Sequence, residues 1–402
     1  MIIGNLPGRK VMLSFERAFK IVLSSAYLLG TERVDIAQAT GRILADDVKS
    51  DTDMPPFNKS AMDGFACRRE DLANELTIIE TIPAGVPPKN VIGQNQCAKI
   101  MTGAVVPQGA DCVIMVEFTE TPGENTVRFT GKETADNICT KAEDIKAGQT
   151  VLSKGTLIKP QHIATLAAIG CANPCVAVRP KVGIMATGNE LVAPAEKIRP
   201  SQIRDSNSFQ LAGQVETVGA VTKNYGIVRD TRQAIDAAVK TAITENDVVL
   251  VSGGVSVGDF DFVPDILKQN GIELMFEKIA IKPGKPTVFG VSESVFCFGM
   301  PGHPVSGFVT CELLVKPFLY KLMGHNFTPL DIKVPLGTSI SRKKAGRPSW
   351  IPVVITNEGT ARPLEYHGSA HLNALCGADG LLCIPKGTAE LKEGMMVSVR
   401  QI

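Results

Sequence analysis

The stretch EKIAIKPGKP carries Lys278, Lys282 and Lys285 within eight residues. Ile279 and Ile281 alternate with Lys278, Ala280 and Lys282, so on a strand Lys278 and Lys282 share one face, and Pro283-Gly284 turns the chain to present Lys285. Three ammonium groups so spaced suit a polyanion, because charge-assisted hydrogen bonds to phosphate each contribute about 1.5–3 kcal/mol. A second stretch, SGGVSVGDFDF, follows the apolar run DVVLVS and places Ser252, Gly253 and Gly254 before Asp259 and Asp261. Glycines let backbone N–H groups approach a ligand closely, and paired carboxylates offer hard oxygens to Mg²⁺. Further acidic candidates are Asp63, Asp144, Glu190, Asp205 and Asp230, of which Asp205 and Asp230 also read as simple helix caps.

The pattern G-x-S-x-G in GVSVG raises a serine nucleophile. A nucleophile elbow puts its serine on the turn between strand and helix. Here the strand ends near Ser252 and a helix begins only near Asp261 or Phe262, which leaves Ser256 in mid-loop. The loop also lacks G-x-x-x-x-G-K-[ST] and G-x-G-x-x-G, so neither a P-loop nor a dinucleotide fingerprint is present. A cradle for a phosphate-bearing ligand is the favoured reading, with a plain glycine-rich turn as the alternative.

Elements must bring these stretches together. From residue 180 to 325 apolar runs alternate with helical patterns: strands at KVGIMATG, VTKNYGIV, DVVLVS, ELMFEKIAIKPG and SVFCFGM; helices at SNSFQLAGQVETVG, TRQAIDAAVKTAITEN, FVPDILKQNG and, as one long helix, PVSGFVTCELLVKPFLYKLMG. This alternation means a doubly wound α/β sheet. Ligands bind such sheets beyond the carboxyl ends of the strands. The loops beginning at Asn189-Glu190, at Gly253 and at Pro301-Gly302-His303 should therefore share one edge. Asp230 should cap the TRQAID helix, with Gln233 three residues on.

Before this region, SFERAFKIVLSSAYLLG is helical from Ser14 to a stop at Gly30, and PQHIATLAAIG is a second helix; the two should pack together. Short strands separated by Gly and Pro between about 76 and 130 form a β domain inserted between them. Residues from about 328 onward read as a further β domain. The expected domains are 1–50 with 145–178, 51–144, 179–327 and 328–402.

With 402 residues the chain exceeds the roughly 250–300 at which single cores stop growing. Its 42 basic and 41 acidic residues leave a net charge of +1, which argues against a general nucleic-acid binder. The ten cysteines show no C-x-x-C pair and read as mostly buried, reduced thiols. No window approaches about 20 apolar residues, and MIIGNLPGRKVML lacks a cleavable apolar core. A soluble, cytoplasmic protein is expected, with no membrane partner.

Eight motifs in order, PPFNKSAMDGFA, KIMTGAVVPQGADCVIM, NICTKAEDIKAGQ, KVGIMATGNEL, IRDSNSFQL, SGGVSVGDFDFV, EKIAIKPGKP and GMPGHPVSGF, make the chain resemble the molybdopterin molybdenumtransferases, relatives of the C-terminal domain of gephyrin. The resemblance implies an α/β plus β multi-domain fold: a central, doubly wound molybdopterin-binding-like domain, a small inserted β domain and a C-terminal β-barrel-like domain. It implies an elongated homodimer, and a reaction in which adenylylated molybdopterin and molybdate give molybdenum cofactor and AMP with Mg²⁺ assisting. A molybdopterin adenylyltransferase is an implied partner.

Carried over, it implies catalytic roles for Asp63, Asp144, Glu190, Lys278, Lys282 and Lys285. Substrate contacts fall to Thr102, Thr187, Asp205, Asn207, Ser252, Gly253, Gly254, Pro301, Gly302, Ser306, Arg347 and Ser369, and magnesium to Asp230, Asp259 and Asp261. The chain departs from the family at Asn58-Lys59, at Cys139-Thr140-Lys141, at His303, and after Trp350, where Ile351-Pro352 leaves Arg347 as the nearby cation. Alternatives to the transferase are a non-catalytic scaffold on the same fold and a nucleotide-processing hydrolase using the α/β domain alone.

Overall fold

The computed structural model describes residues 12–256, 261–366 and 368–402. Residues 1–11, with the reading made of the N-terminal stretch, and Asp259 lie outside the described residues.

A six-stranded sheet forms the centre: β1 (Lys181–Thr187), β2 (Val221–Val228), β3 (Val248–Ser252), β4 (Glu273–Phe276), β5 (Val288–Val291) and β6 (Phe296–Met300), in the order β2-β1-β3-β6-β5-β4. The first four in that order run parallel. Of the remaining two, β5 is antiparallel to both β6 and β4. Two reversals return β4 to the direction of β6, so the connection from β4 to β5 opens on the same edge as the loops after β1, β3 and β6.

The apolar runs arise because both faces of this sheet are covered. Val248 and Leu250 of β3 join one core cluster while Val249 and Val251 join the cluster on the opposite face. Helices α1 (Asn207–Glu216), α2 (Arg232–Glu245) and α3 (Val263–Gln269) lie in the expected places. The last helical stretch is not one uniform helix. It comprises α4 (Pro304–Thr310), a π-helical segment Cys311–Val315 and α5 (Lys316–Leu322). Phe318 of α5 meets Phe289, Phe296 and Phe298 edge-on, with ring centroids 4.8–5.8 Å apart.

The N-terminal helix runs Phe15–Ser25 and stops short of Gly30. The hydroxyls of Ser24 and Ser25 donate back to the Ile21 carbonyl, a local competition that disfavours further helix. Ala18 and Val22 of this helix are buried in the central core, so it packs there rather than on the helix Pro160–Ala168. Residues before 50 and after 145 nevertheless join, through short strand pairs. Thr31–Arg33 pairs with Cys175–Ala177, and Val48–Lys49 with Thr150–Leu152.

Between those pairs stands a second six-stranded sheet built from residues 64–129. The C-terminal segment forms a five-stranded antiparallel sheet from Asp331 to Gln401. Leu336, just after one outermost strand, is bridged to Ala361 in the other, and the Gly337 N–H donates to the Ala361 carbonyl at 2.8 Å. The sheet thus curls back on itself.

Candidate active site

Because β1, β3 and β6 are parallel and in register, with Ala186 opposite Ser252 and Ser252 opposite Met300, their carboxyl ends lie side by side. A cleft of about 930 Å³ opens over these ends. Thr187 and Glu190 come from the end of β1, Ser252, Gly253, Gly254 and Ser256 from the end of β3, and Pro301, Gly302, His303 and Ser306 from the end of β6. Asp205 and Asn207 enter at the start of α1, and Asp230 and Asp261 line the same cleft.

The two glycines after β3 are dictated by crowding. Gly253 has φ +97°, and a Cβ there would sit 2.6 Å from the Thr187 carbonyl oxygen; at Gly254 it would sit 3.0 Å from Val263. The Gly253 N–H donates to the Met300 carbonyl at 3.1 Å, so this amide ties the β3 and β6 loops together. Asn207 is a second tie: its Nδ2 donates to Ser252 Oγ at 2.8 Å and to the Gly302 carbonyl at 2.7 Å.

The lysine stretch reaches the cleft by a route the sequence did not disclose. Residues 277–287 are not a continuous strand; β4 ends at Phe276, and 279 and 282 form isolated bridges to Leu13 and Ser349. Ile279 and Ile281 are buried, as their alternation implied, but the shared strand face of Lys278 and Lys282 does not exist. Lys282 and Lys285 are exposed and line the cleft; Lys278 does not. The C-terminal segment holds this loop in place. The Lys282 N–H donates to the Pro348 carbonyl at 3.0 Å, and its carbonyl accepts from the Trp350 N–H at 2.7 Å. Arg347 donates from Nη1 to the Ile281 carbonyl at 2.8 Å, using one of five N–H donors. Ser369 lines the cleft and accepts at its carbonyl from the Val305 N–H at 3.1 Å, covering the start of α4.

The acidic residues divide by occupation. Asp205 is buried and fully engaged: Ser208 donates to it from its N–H at 3.1 Å and from its hydroxyl. Asp230 does not cap α2; Thr231 does, accepting from the Ala234 N–H at 3.2 Å. Asp230 Oδ1 is instead buried without a hydrogen-bond partner, as are Thr187 Oγ1 and Asn207 Oδ1 in the same cleft. Unpartnered buried acceptors are uncommon and call for an explanation. A hard divalent cation or ligand N–H groups would supply one. Among the described residues no three His, Cys, Asp or Glu converge on a metal position. Mg²⁺ is one such cation, since it takes one or two carboxylates together with substrate phosphates and water.

Besides Lys278, three candidates stand away from this cleft. Asp63 precedes the strand Gly64–Cys67 of the inserted sheet, and its Oδ1 accepts from Thr102 N–H at 2.6 Å and Thr102 Oγ1 at 2.7 Å. Those two bonds hold its carboxyl below the ordinary carboxylate range. Asp144 lines a smaller cleft of about 340 Å³ with Lys59, Cys139 and Glu143. The Thr140 N–H, its hydroxyl and the Cys139 thiol, with Lys59 near, hold the Glu143 carboxyl low. Sequence reasoning passed over Arg204, Tyr366 and Ile203, which line the main cleft. The first and last sit in the already distinctive IRDSNSFQL; Tyr366 had no signal beyond lying near Ser369.

Similar proteins place the whole arrangement. Residues 13–170 match the MoeA N-terminal region (domain I and II), 183–321 a "Probable molybdopterin binding domain", and 333–402 the MoeA C-terminal region (domain IV). A molybdopterin molybdenumtransferase of Staphylococcus epidermidis is 34% identical over 97% of this chain and 96% of its own. One from Nostoc is 38% identical over 92% and 89%. The crystal structure of a molybdopterin biosynthesis moeA protein from Pyrococcus horikoshii OT3 superposes with a TM-score of 0.85, at 33% identity, covering 98% of this chain and 100% of that one.

Proposed function

The chain belongs to the molybdopterin molybdenumtransferase family, and from that premise we propose that its cleft binds adenylylated molybdopterin and molybdate and releases molybdenum cofactor and AMP. It is a transferase enzyme, and it inserts molybdenum during molybdenum-cofactor biosynthesis. One observation carries the finer reading: three parallel strand ends, two lysines, Arg347 and Ser369 converge on a single cleft.

The loops after β3 and β6 receive the pterin phosphate through Ser252, Gly254, Gly302 and Ser306. Lys282, Lys285 and Arg347 meet the phosphoanhydride and the molybdate oxyanion. Preorganised cations at a charge-bearing centre need no reorganisation during reaction. Asp230 and Asp261 would hold Mg²⁺, which supplies Lewis acidity and offsets phosphate charge. Glu190, which also lines the cleft, orients the substrate in this reading.

The family resemblance puts Asp63, Thr102 and Asp144 in the same site, yet within one chain they line no part of the cleft. A homodimer in which the second copy brings these residues to the cleft accommodates both facts. A molybdopterin adenylyltransferase is the class of enzyme that supplies the substrate, and the cytoplasm is the expected place. Among the described residues no helix is long and apolar enough to cross a membrane.

The test incubates purified protein with adenylylated molybdopterin, molybdate and Mg²⁺, and quantifies AMP and metal-loaded pterin. Lys282→Ala should lose at least about 100-fold in turnover, the scale of losing one preorganised charge, whereas Lys278→Ala should stay within about threefold. Asp261→Ala should abolish AMP release while leaving pterin binding intact. Equal losses at Lys278 and Lys282, or parental turnover in Asp261→Ala, would contradict the assignment. Mixing Lys282→Ala with Asp63→Ala chains should restore turnover if two copies complete each site; no restoration removes the dimeric reading.

A further inference from the structure

Helix α1 carries three side-chain amides, Asn207, Gln210 and Gln214, at spacings of three and four, which sets them on one helical face. All three donate to one neighbouring strip of chain. Asn207 Nδ2 reaches the Gly302 carbonyl at 2.7 Å, Gln210 Nε2 the Pro304 carbonyl at 3.1 Å, and Gln214 Nε2 the Phe308 carbonyl at 3.2 Å. Gln214 also donates to Glu312 Oε1 at 2.9 Å. The accepting strip is the loop after β6 and the helix α4 that it starts. Pro301, Gly302 and Ser306 on that strip form one wall of the cleft.

The strip changes its hydrogen-bonding pattern within one helix length of the cleft. Helix α4 lasts seven residues before the π segment, where bonding slips by one residue and the Lys316 N–H reaches the Cys311 carbonyl. Such single-turn π segments inside helices are frequent at functional sites. Helix α1 is anchored in the core that also holds the π segment, since Leu211 and Val215 share the central cluster with Cys311, Leu314 and Val315. Its amides therefore transfer the position of the sheet to the wall. Gln214 holds the end near the π segment and Gln210 the end near Ser306. Asn207 links the wall to the Ser252 loop opposite.

We propose that Gln210, backed by Gln214, is a positioning residue that sets the spacing between the Gly302–Ser306 wall and the Ser252–Gly254 loop, and with it the affinity for the pterin substrate. This rests on the cleft being the molybdopterin site. In the AMP-release assay, Gln210→Met, which keeps length and removes the donor, should raise the KM for adenylylated molybdopterin about fivefold, the worth of one hydrogen bond, with kcat within about twofold. Gln210→Lys, which keeps an N–H donor of similar reach, should return KM to within about twofold of the parent. An unchanged KM in Gln210→Met, equal rises in both variants, or a loss of thermal stability without a change in KM overturns the proposal. Ser306→Ala, run in parallel, separates the two readings. If it raises KM and Gln210→Met does not, the clamp fails and the cleft stands. If neither raises KM, the cleft assignment falls and takes the clamp with it.

Discussion

Gly253→Ala isolates how tightly the cleft floor is built. Two costs add. At φ +97° a side-chain-bearing residue is strained by roughly 1–2 kcal/mol. The new Cβ would also stand 2.6 Å from the Thr187 carbonyl oxygen and 2.9 Å from its Oγ1. That carbonyl ends β1, which is hydrogen-bonded in register to β3 up to the Ala186–Ser252 pair, so relief requires opening the ladder. Overpacking of this kind costs about 1–3 kcal/mol. Together these predict a loss of about 2–5 kcal/mol. Calorimetry should find the transition of the α/β segment lowered by about 4–20 °C, at roughly 2–4 °C per kcal/mol for a unit of this size. Gly213→Ala is the control. It lies within α1 at an ordinary helical φ, and a Cβ added there would meet nothing within 4 Å. It should gain up to about 1 kcal/mol from helix propensity. If Gly253→Ala melts within about 2 °C of the parent, the Thr187 carbonyl does not press on the β3 loop and the account of its glycines is wrong.

Two other expectations follow from charged groups. Thr102 holds the Asp63 carboxyl below its ordinary value of 3.8. The stability this adds is present above the ordinary carboxylate pKa and fades as pH falls through the depressed folded value. Thr102→Val removes the hydroxyl donor and should move the carboxyl back up in an NMR titration; an unmoved carboxyl would show that the hydroxyl bond is not made. Glu312, 6% exposed, accepts from Gln214 and from Lys316 Nζ at 3.1 Å. Glu312→Ala leaves Lys316 without its partner and should destabilise by about 3–5 kcal/mol in urea unfolding, with part regained in the double variant Glu312→Ala/Lys316→Met. Additive losses in that cycle would rule out a coupled pair.

What the sequence disclosed and withheld divides along local and distant causes. KVGIMATG, DVVLVS and SVFCFGM were legible because burial on both faces leaves a continuous apolar run, and their glycine-bearing ends pointed to the cleft. The start of the helix at Val263 was legible to within two residues. The lysine stretch misled because its neighbours are remote in sequence. Leu13 and Ser349 each bridge it once, which imitates strand periodicity without forming a strand. Asp230 looked like a cap because it precedes a helix, but Thr231 is one residue closer and took the role. The packing of the Phe15–Ser25 helix on the central sheet, and the separation of Asp63 and Asp144 from the cleft, are tertiary facts with no local signature.

The inserted sheet departs from the rest of the chain and returns to it at adjoining points. The Ser50 N–H donates to the Gln149 carbonyl at 3.0 Å, and the Gly148 N–H donates to the Ser50 carbonyl at 2.8 Å. In topological terms about a hundred residues hang from the trunk by a stem two strands wide. The trunk can therefore acquire its shape before the branch does, since closing a loop of that length costs little more than closing one half as long. The stem is also where evolution could lengthen, shorten or exchange the branch without disturbing a single rung of the central sheet.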